Sequence, residues 1–171
     1  MKRHIVLVGL PGCGKSTVGA LVAEQLGAEF IDLDTAITRQ MQMPVARIFG
    51  EFGEPRFREA EREAMRKALE GPPAVIAPGA GWAAQEGEME RARNQSFIIY
   101  LKTLVTTALD RSPEGIRPLL AGEDSAGRMR NLLSEREPWY NQADREVKND
   151  HRPPEVAAEA IVNAARREAG W

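Results

Sequence analysis

Nine consecutive residues, Gly9-Leu10-Pro11-Gly12-Cys13-Gly14-Lys15-Ser16-Thr17, carry the densest chemistry in this chain. Their pattern, G-x-x-x-x-G-K-[ST], is that of a loop that cradles a phosphate chain. Its glycines let the backbone curl so that several N–H groups converge on one anion. The amphipathic stretch Val18 to Leu26 follows at once, so the loop is expected to end at a helix N-terminus. There the unpaired N–H groups and the helix dipole favour negative charge. Gly12, Cys13, Gly14, Lys15, Ser16 and Thr17 are therefore the expected phosphate contacts. Lys15 is expected to reach the β- and γ-phosphates, and the Ser16 hydroxyl to bind Mg2+.

Three further places hold suitable groups. Asp32 and Asp34 end a strand expected over Phe30–Asp34. In an extended strand, residues i and i+2 share a face. One carboxylate can then hold a Mg2+ shell while the other handles a substrate hydroxyl; the alternative is an Asp-rich turn that caps the next helix. Arg58, Arg117 and Arg136 are candidate anion ligands, because a guanidinium grips carboxylate or phosphate bidentately. Their local sequence alone reads Arg58 and Arg136 as members of charged, solvated helix faces. Gly79-Ala80-Gly81 follow the apolar run 74–77 and either admit close backbone approach to a ligand or make a tight turn.

These groups need a scaffold. The chain has 171 residues, which suits one domain with a real core, and the sequence shows no repeat or linker. The run 5–9 reads as a buried strand and Lys15–Leu26 as a helix closed by Gly27. Strand, helix, strand within thirty residues is a βαβ unit, which demands parallel strands and a right-handed crossover. Ligands bind beyond the carboxyl ends of such strands. Helices are expected over 35–41, from Pro44 with a break at Gly53, over 54–69, 86–93, 103–111, 126–137 and 154–168. Strands are expected over 74–77, 96–101 and, as a sheet edge, 146–148. The segment 112–125, rich in Gly and Pro and carrying Arg117-Pro118-Leu119-Leu120, suits a lid over phosphates. The whole reads as an α/β domain: a parallel sheet of about five strands with helices on both faces.

Composition narrows the partners. The 23 basic and 25 acidic residues leave a net charge of −2, with no footprint for nucleic acid or an anionic membrane. No apolar run approaches the ~18 residues that span a bilayer. Cys13 is the sole cysteine, so neither an intrachain disulfide nor a cysteine-rich metal site is available. A thiol in this loop can serve as an oxidation-sensitive stop on phosphate binding or as a small filler. With no export signal, the cytoplasm is the expected compartment, and a monomer the expected state.

From about residue 4 to 165, the ordered motifs resemble the shikimate kinase family. Gly9–Thr17 is similar to its phosphate loop and Phe30-Ile31-Asp32-Leu33-Asp34 to its second-strand motif. Ile48-Phe49, Gly53-Glu54 and Phe57-Arg58 to Glu61 are similar to its acceptor subdomain, expected over 35–62. Gly79-Ala80-Gly81 resembles its triple-glycine turn, Ile116 to Leu120 its lid, and Arg136-Glu137-Pro138-Trp139-Tyr140 its late arginine motif. The resemblance implies a three-layer α/β/α P-loop kinase fold and an activity. That activity is ATP-dependent phosphorylation of the shikimate 3-hydroxyl, with Mg2+, in chorismate and aromatic amino-acid biosynthesis. It implies that Arg58, Arg136 and Gly81 grip the shikimate carboxylate, with Gly79 and Ala80 in the same turn. Asp34 would orient or deprotonate the hydroxyl, and Asp32 would hold the Mg2+ shell. Lys15 and Arg117 would stabilise the transferring phosphoryl group, and Arg152 and Pro154 would contact adenine. Phe49, Glu54, Phe57, Glu61, Pro118 and Leu119 would shape the pocket. Three positions depart from the family pattern. Ala80 replaces a glycine, and Trp82 replaces a small residue, where an indole would narrow the pocket or pack beneath the lid. Asp110 stands where an adenine-stacking arginine is expected, with Arg111 one residue later, so weaker adenine binding is expected. The residues read by themselves also leave room for a gluconate or nucleoside-monophosphate kinase, and for a nucleotide-binding protein without catalysis.

Overall fold

Alternation within His4–Val8 (β1) sorts the core into two halves. Ile5 and Leu7 face one apolar cluster, and Val6 and Val8 the other. A strand buried on both faces reads as a continuous apolar run, as this one does. In the computed structural model, which describes residues 1–111 and 124–171, β1 is the centre of a five-stranded parallel sheet. The other strands are Phe30–Asp32 (β2), Val75–Ala77 (β3), Ser96–Lys102 (β4) and Arg145–Lys148 (β5), in the order β2-β3-β1-β4-β5. Ile5 is level with Val75 on one side and Phe97 on the other.

Helices cover both faces. Lys15–Leu26 (α1) and Pro154–Glu168 (α7) pack with Ile5, Leu7, Val75 and Phe97. Gly19 of α1 sits so close to the Phe30 ring that a Cβ there would lie 2.5 Å from it. The opposite face carries Leu33–Met41 (α2), Val45–Glu70 (α3), Glu88–Arg93 (α4), Val105–Arg111 (α5) and Ser125–Tyr140 (α6). The α/β reading, the parallel register and the edge position of β5 all hold.

Several boundaries differ from expectation, each for a local reason. The second strand stops at Asp32 rather than Asp34. Asp32 is extended and its Oδ1 accepts the Thr35 N–H at 3.2 Å, so it caps α2. Asp34 therefore sits in the first turn of a helix, where the dipole favours a carboxylate. Pro44 caps α3 instead of starting it, and α3 breaks at Gly53 (φ 81°, ψ 165°), two residues before Pro55, which has no N–H to donate. α6 runs through Pro138 to Tyr140. Residues 112–123, most of the expected lid, lie outside the described residues, and Arg117, Pro118, Leu119 and Leu120 with them. The last two positions of that segment belong to α6: Asp124 caps it through Gly127 N–H, and Ser125 is its first residue.

His4 gives the fold a pH dependence. It is 4% exposed, and its Nδ1 accepts the Ala74 N–H at 3.2 Å. Protonation would set an N–H against an N–H, and burial holds the imidazole below its ordinary pKa of 6.5. The unfolded chain thus binds more protons than the folded one as the medium acidifies. The stabilisation is present above about pH 6.5 and is lost as pH falls through the lowered folded value. Urea unfolding between about pH 7.5 and 5 should show stability decreasing toward acid. His4→Asn, whose Oδ1 accepts without titrating, should flatten that slope.

Candidate active site

The phosphate loop is held in shape from behind. Gly9 (φ 154°) lies so near the end of β4 that a Cβ would sit 2.6 Å from Leu101 O. Gly14 (φ 99°) leads directly into α1. Lys15 is 7% exposed, and its ammonium donates to Gly9 O at 2.8 Å and Leu10 O at 3.0 Å. The Cys13 side chain is fully buried beside the apolar cluster around α1, and its Sγ lies 3.5 Å from the Lys15 ammonium. Ser16 Oγ donates to Asp32 Oδ2 at 2.7 Å. Gly12, Lys15, Ser16, Thr17, Asp32 and Asp34 line one crevice of about 390 Å³.

The pair Ser16–Asp32 suits a small hard cation. Mg2+ is usually held by one or two protein oxygens, with phosphate and water supplying the rest. Among the described residues there is no group of three metal-ligating side chains, so an all-protein cage is not available there. A hydroxyl and a carboxylate oxygen side by side at a phosphate crevice fit the ion in that sparing role.

Next to the crevice lies a tighter pocket of about 50 Å³, lined by Asp34, Phe49, Phe57, Arg58, Gly79, Ala80, Gly81 and Arg136. Arg58 is fixed from both sides of its helix. Its Nη2 meets Glu54 Oε1 at 3.2 Å and its Nη1 meets Glu61 Oε1 at 3.0 Å. The Phe49 and Phe57 rings pack at 4.7 Å and Arg58 lies 5.4 Å from the Phe57 centroid. Gly81 must lack a side chain, because a Cβ would come within 2.6 Å of Arg58 Cζ. At Gly79 a Cβ would collide with Glu61 and lie 3.1 Å from Asp34 Oδ1. Glu61 is wholly buried. Burial pushes its carboxyl pKa up and Asp34 adds to this, while Arg58 and Arg136 oppose it. Arg136 is 7% exposed, and among the described residues no carboxylate lies within ion-pair distance of its guanidinium. The buried charge is offset in part by Glu61 acting at longer range and by the Tyr140 phenol, and an anion in the pocket would complete the pairing.

Ala80 lines the pocket without backbone strain, and Trp82 stays out of it. Gln42 is the only non-glycine residue with positive φ among the described residues, so the Ala80 methyl carries no left-handed strain. Trp82 is fully buried in the core, where its Nε1 donates to Glu88 Oε2 at 3.2 Å; it does not line the pocket. On the other side of the phosphate loop, Gly14, Thr17, Arg111, Asn149 and Pro154 line a recess of about 130 Å³. Arg111, not Asp110, reaches it. Its guanidinium is anchored to Asn149 O at 3.0 Å and Asp150 O at 2.6 Å. Arg152 is exposed and lies outside that lining. Two residues that brace these walls are given no role by the sequence reading. Tyr140 OH donates to Ala80 O at 2.6 Å, and Asn149 Nδ2 donates to Cys13 O at 2.8 Å. Tyr140 follows Arg136 by four positions on one helix face, a spacing that could have pointed to it. Nothing local marks Asn149.

A model of the shikimate kinase family matches residues 11–166. The chain belongs to the shikimate kinase family. Shikimate kinase of Thermodesulfovibrio yellowstonii is 35% identical over 166 residues, covering 96% of both chains. That of Mycobacterium avium is 39% identical over 165 residues, covering 95% of this chain and 93% of the other. Among solved structures, shikimate kinase from Acinetobacter baumannii in complex with shikimate superposes with a TM-score of 0.94 at 31% identity, over 98% and 94% of the two chains. The α/β P-loop kinase fold and the use of ATP follow from that membership.

Tyr140 ties α6, and so Arg136, to the 79–81 turn. Its ring is buried beside Tyr100, with centroids 5.2 Å apart, and burial pushes its phenol pKa up. Tyr140→Phe leaves the Ala80 carbonyl unpaired in the core. Urea unfolding should report a loss of about 1–3 kcal/mol.

Proposed function

We propose that this chain transfers the γ-phosphoryl group of ATP to the 3-hydroxyl of shikimate, with Mg2+, yielding ADP and 3-phosphoshikimate on the route to chorismate and the aromatic amino acids. One observation carries the reading. The phosphate crevice and the arginine pocket share Asp34 and Gly79 as a common wall. A hydroxyl held by Asp34 from the arginine side therefore faces the end of a phosphate chain held by Lys15 and the loop. Arg136, buried without a carboxylate partner among the described residues, supplies the demand for an acidic acceptor.

The roles follow from placement. Arg58 and Arg136 hold the acceptor carboxylate, with Gly81 leaving room for the Arg58 guanidinium. Asp34 accepts the hydroxyl proton as the oxygen attacks. Lys15 exchanges its bonds to Gly9 O and Leu10 O for phosphate oxygens. Ser16 and Asp32 would hold Mg2+, which neutralises charge on the phosphates and orients them. Phosphoryl transfer asks mainly for such positioning and charge stabilisation. Arg111 and Pro154 flank the nucleoside. We assign residues 35–62 as the acceptor subdomain and 112–123, with Arg117, as the lid that excludes water. A monomer in the cytoplasm completes the proposal; no helix among the described residues is long and apolar enough to cross a membrane.

ADP release should depend on shikimate, and not on gluconate or nucleoside monophosphates, in a coupled assay; release without that dependence would overturn the reading. Arg136→Ala should raise the KM for shikimate about 100-fold with the KM for ATP little changed. Asp34→Asn should lower kcat by about 100-fold or more with ADP affinity retained.

A further inference from the structure

Asn149 follows β5 and sits behind the phosphate loop, 4% exposed. Its Nδ2 donates to Cys13 O at 2.8 Å, and Thr103 Oγ1 lies 3.3 Å from the same oxygen. Its backbone N–H donates to Lys102 O at 2.9 Å, which fixes it to the end of β4. Its carbonyl accepts from Arg111 Nη1 at 3.0 Å. One buried residue thus joins the phosphate loop, the sheet and the nucleoside recess.

The contact has a directional consequence. A trans peptide is planar, and its C=O and N–H point opposite ways. With Cys13 O held toward Asn149, the Gly14 N–H must point away from Asn149, toward the crevice that Gly14 lines. The fit is close: a Cβ on Gly14 would lie 2.6 Å from Asn149 Nδ2. Glycine itself would let this peptide turn over, since it tolerates both signs of φ. A turned peptide would present a carbonyl oxygen to an anion. The asparagine amide opposes that turn, and the Thr103 hydroxyl, whose one proton is shared between Cys13 O at 3.3 Å and Asn149 O at 3.2 Å, braces the contact.

We propose that Asn149 is a positioning residue for the nucleotide: its amide locks the Cys13–Gly14 peptide so that the Gly14 N–H faces the phosphates. Asn149 touches no phosphate itself. The inference rests on the nucleotide half of the proposed function and is independent of which acceptor binds.

The test compares wild type, Asn149→Ala and Thr103→Val without acceptor. ADP affinity is measured by calorimetry, the Gly14 amide resonance by 15N-correlated NMR, and thermal unfolding in parallel. In the wild type, ADP should move the Gly14 amide downfield. Asn149→Ala should weaken ADP binding about tenfold and shrink that movement, and should raise the KM for ATP while the KM for shikimate stays within about twofold. Thr103→Val, which removes the longer contact, should weaken ADP binding by about two- to threefold, and it carries the test if Asn149→Ala does not fold. A lowered unfolding midpoint with unchanged ADP affinity and an unchanged Gly14 shift would overturn the inference, leaving Asn149 merely structural. Absence of ADP binding by the wild type would overturn the nucleotide reading and this inference with it; loss of shikimate dependence alone would leave both standing.

Discussion

The parallel pairing of β1 with β3 and β4 is the constraint on which the site depends. Parallel strands deliver their carboxyl ends to one edge of the sheet. The phosphate loop leaves β1, Asp32 ends β2, and the 79–81 turn follows β3, so three loops distant in sequence meet there. β4 and β5 finish the edge with Thr103 and Asn149. Moving the phosphate loop or the 79–81 turn by a residue would shift the register of β1 or β3, each buried along its whole length. In β1 the cost of that shift is the burial of Ile5, Leu7, Val6 and Val8 on the wrong sides.

Charge arrangement then turns a common fold edge into a selective one. Arg58 is shared between two glutamates of its own helix, whereas Arg136 enters the same pocket from α6 with no such partner among the described residues. The first arrangement fixes a guanidinium in place; in the second, Arg136 acts on Glu61 only at longer range. Asp34 stands between them and the phosphate loop, held in the first turn of α2 by a helix that Asp32 caps. Asp32 so caps the helix with one oxygen and meets Ser16 at the phosphate crevice with the other.

Much of this was legible because it is local. The G-x-x-x-x-G-K-[ST] pattern, the apolar strands and the βαβ order each depend on a few neighbouring residues. The placement of Arg58 and Arg136 was not legible from their surroundings, since both sit among charged helix residues; the resemblance to a family supplied it. Asp34 was expected on a strand, and the Asp32 side chain ended that strand early. Of the two places open to Trp82, the pocket wall is excluded: its indole is buried in the core and donates to Glu88, six residues on. Asn149 and Tyr140 act on Cys13 and Ala80, at sequence separations of 136 and 60, which no local pattern encodes. The pattern read the groups that line the crevices better than those that hold them in place.

The break in α3 at Gly53 has a consequence for how this pocket can change. Val45 and Phe49 line it from before the break, and Phe57 and Arg58 from after it. An unbroken helix would couple all four to one rigid axis. Here the wall is built from two separately oriented pieces that meet at the Phe49–Phe57 ring contact. Substitutions upstream of Gly53 can therefore resize the pocket without displacing the Arg58 guanidinium, which is held by Glu54 and Glu61 after the break. The same break that interrupts the helix separates evolvable shape from fixed charge.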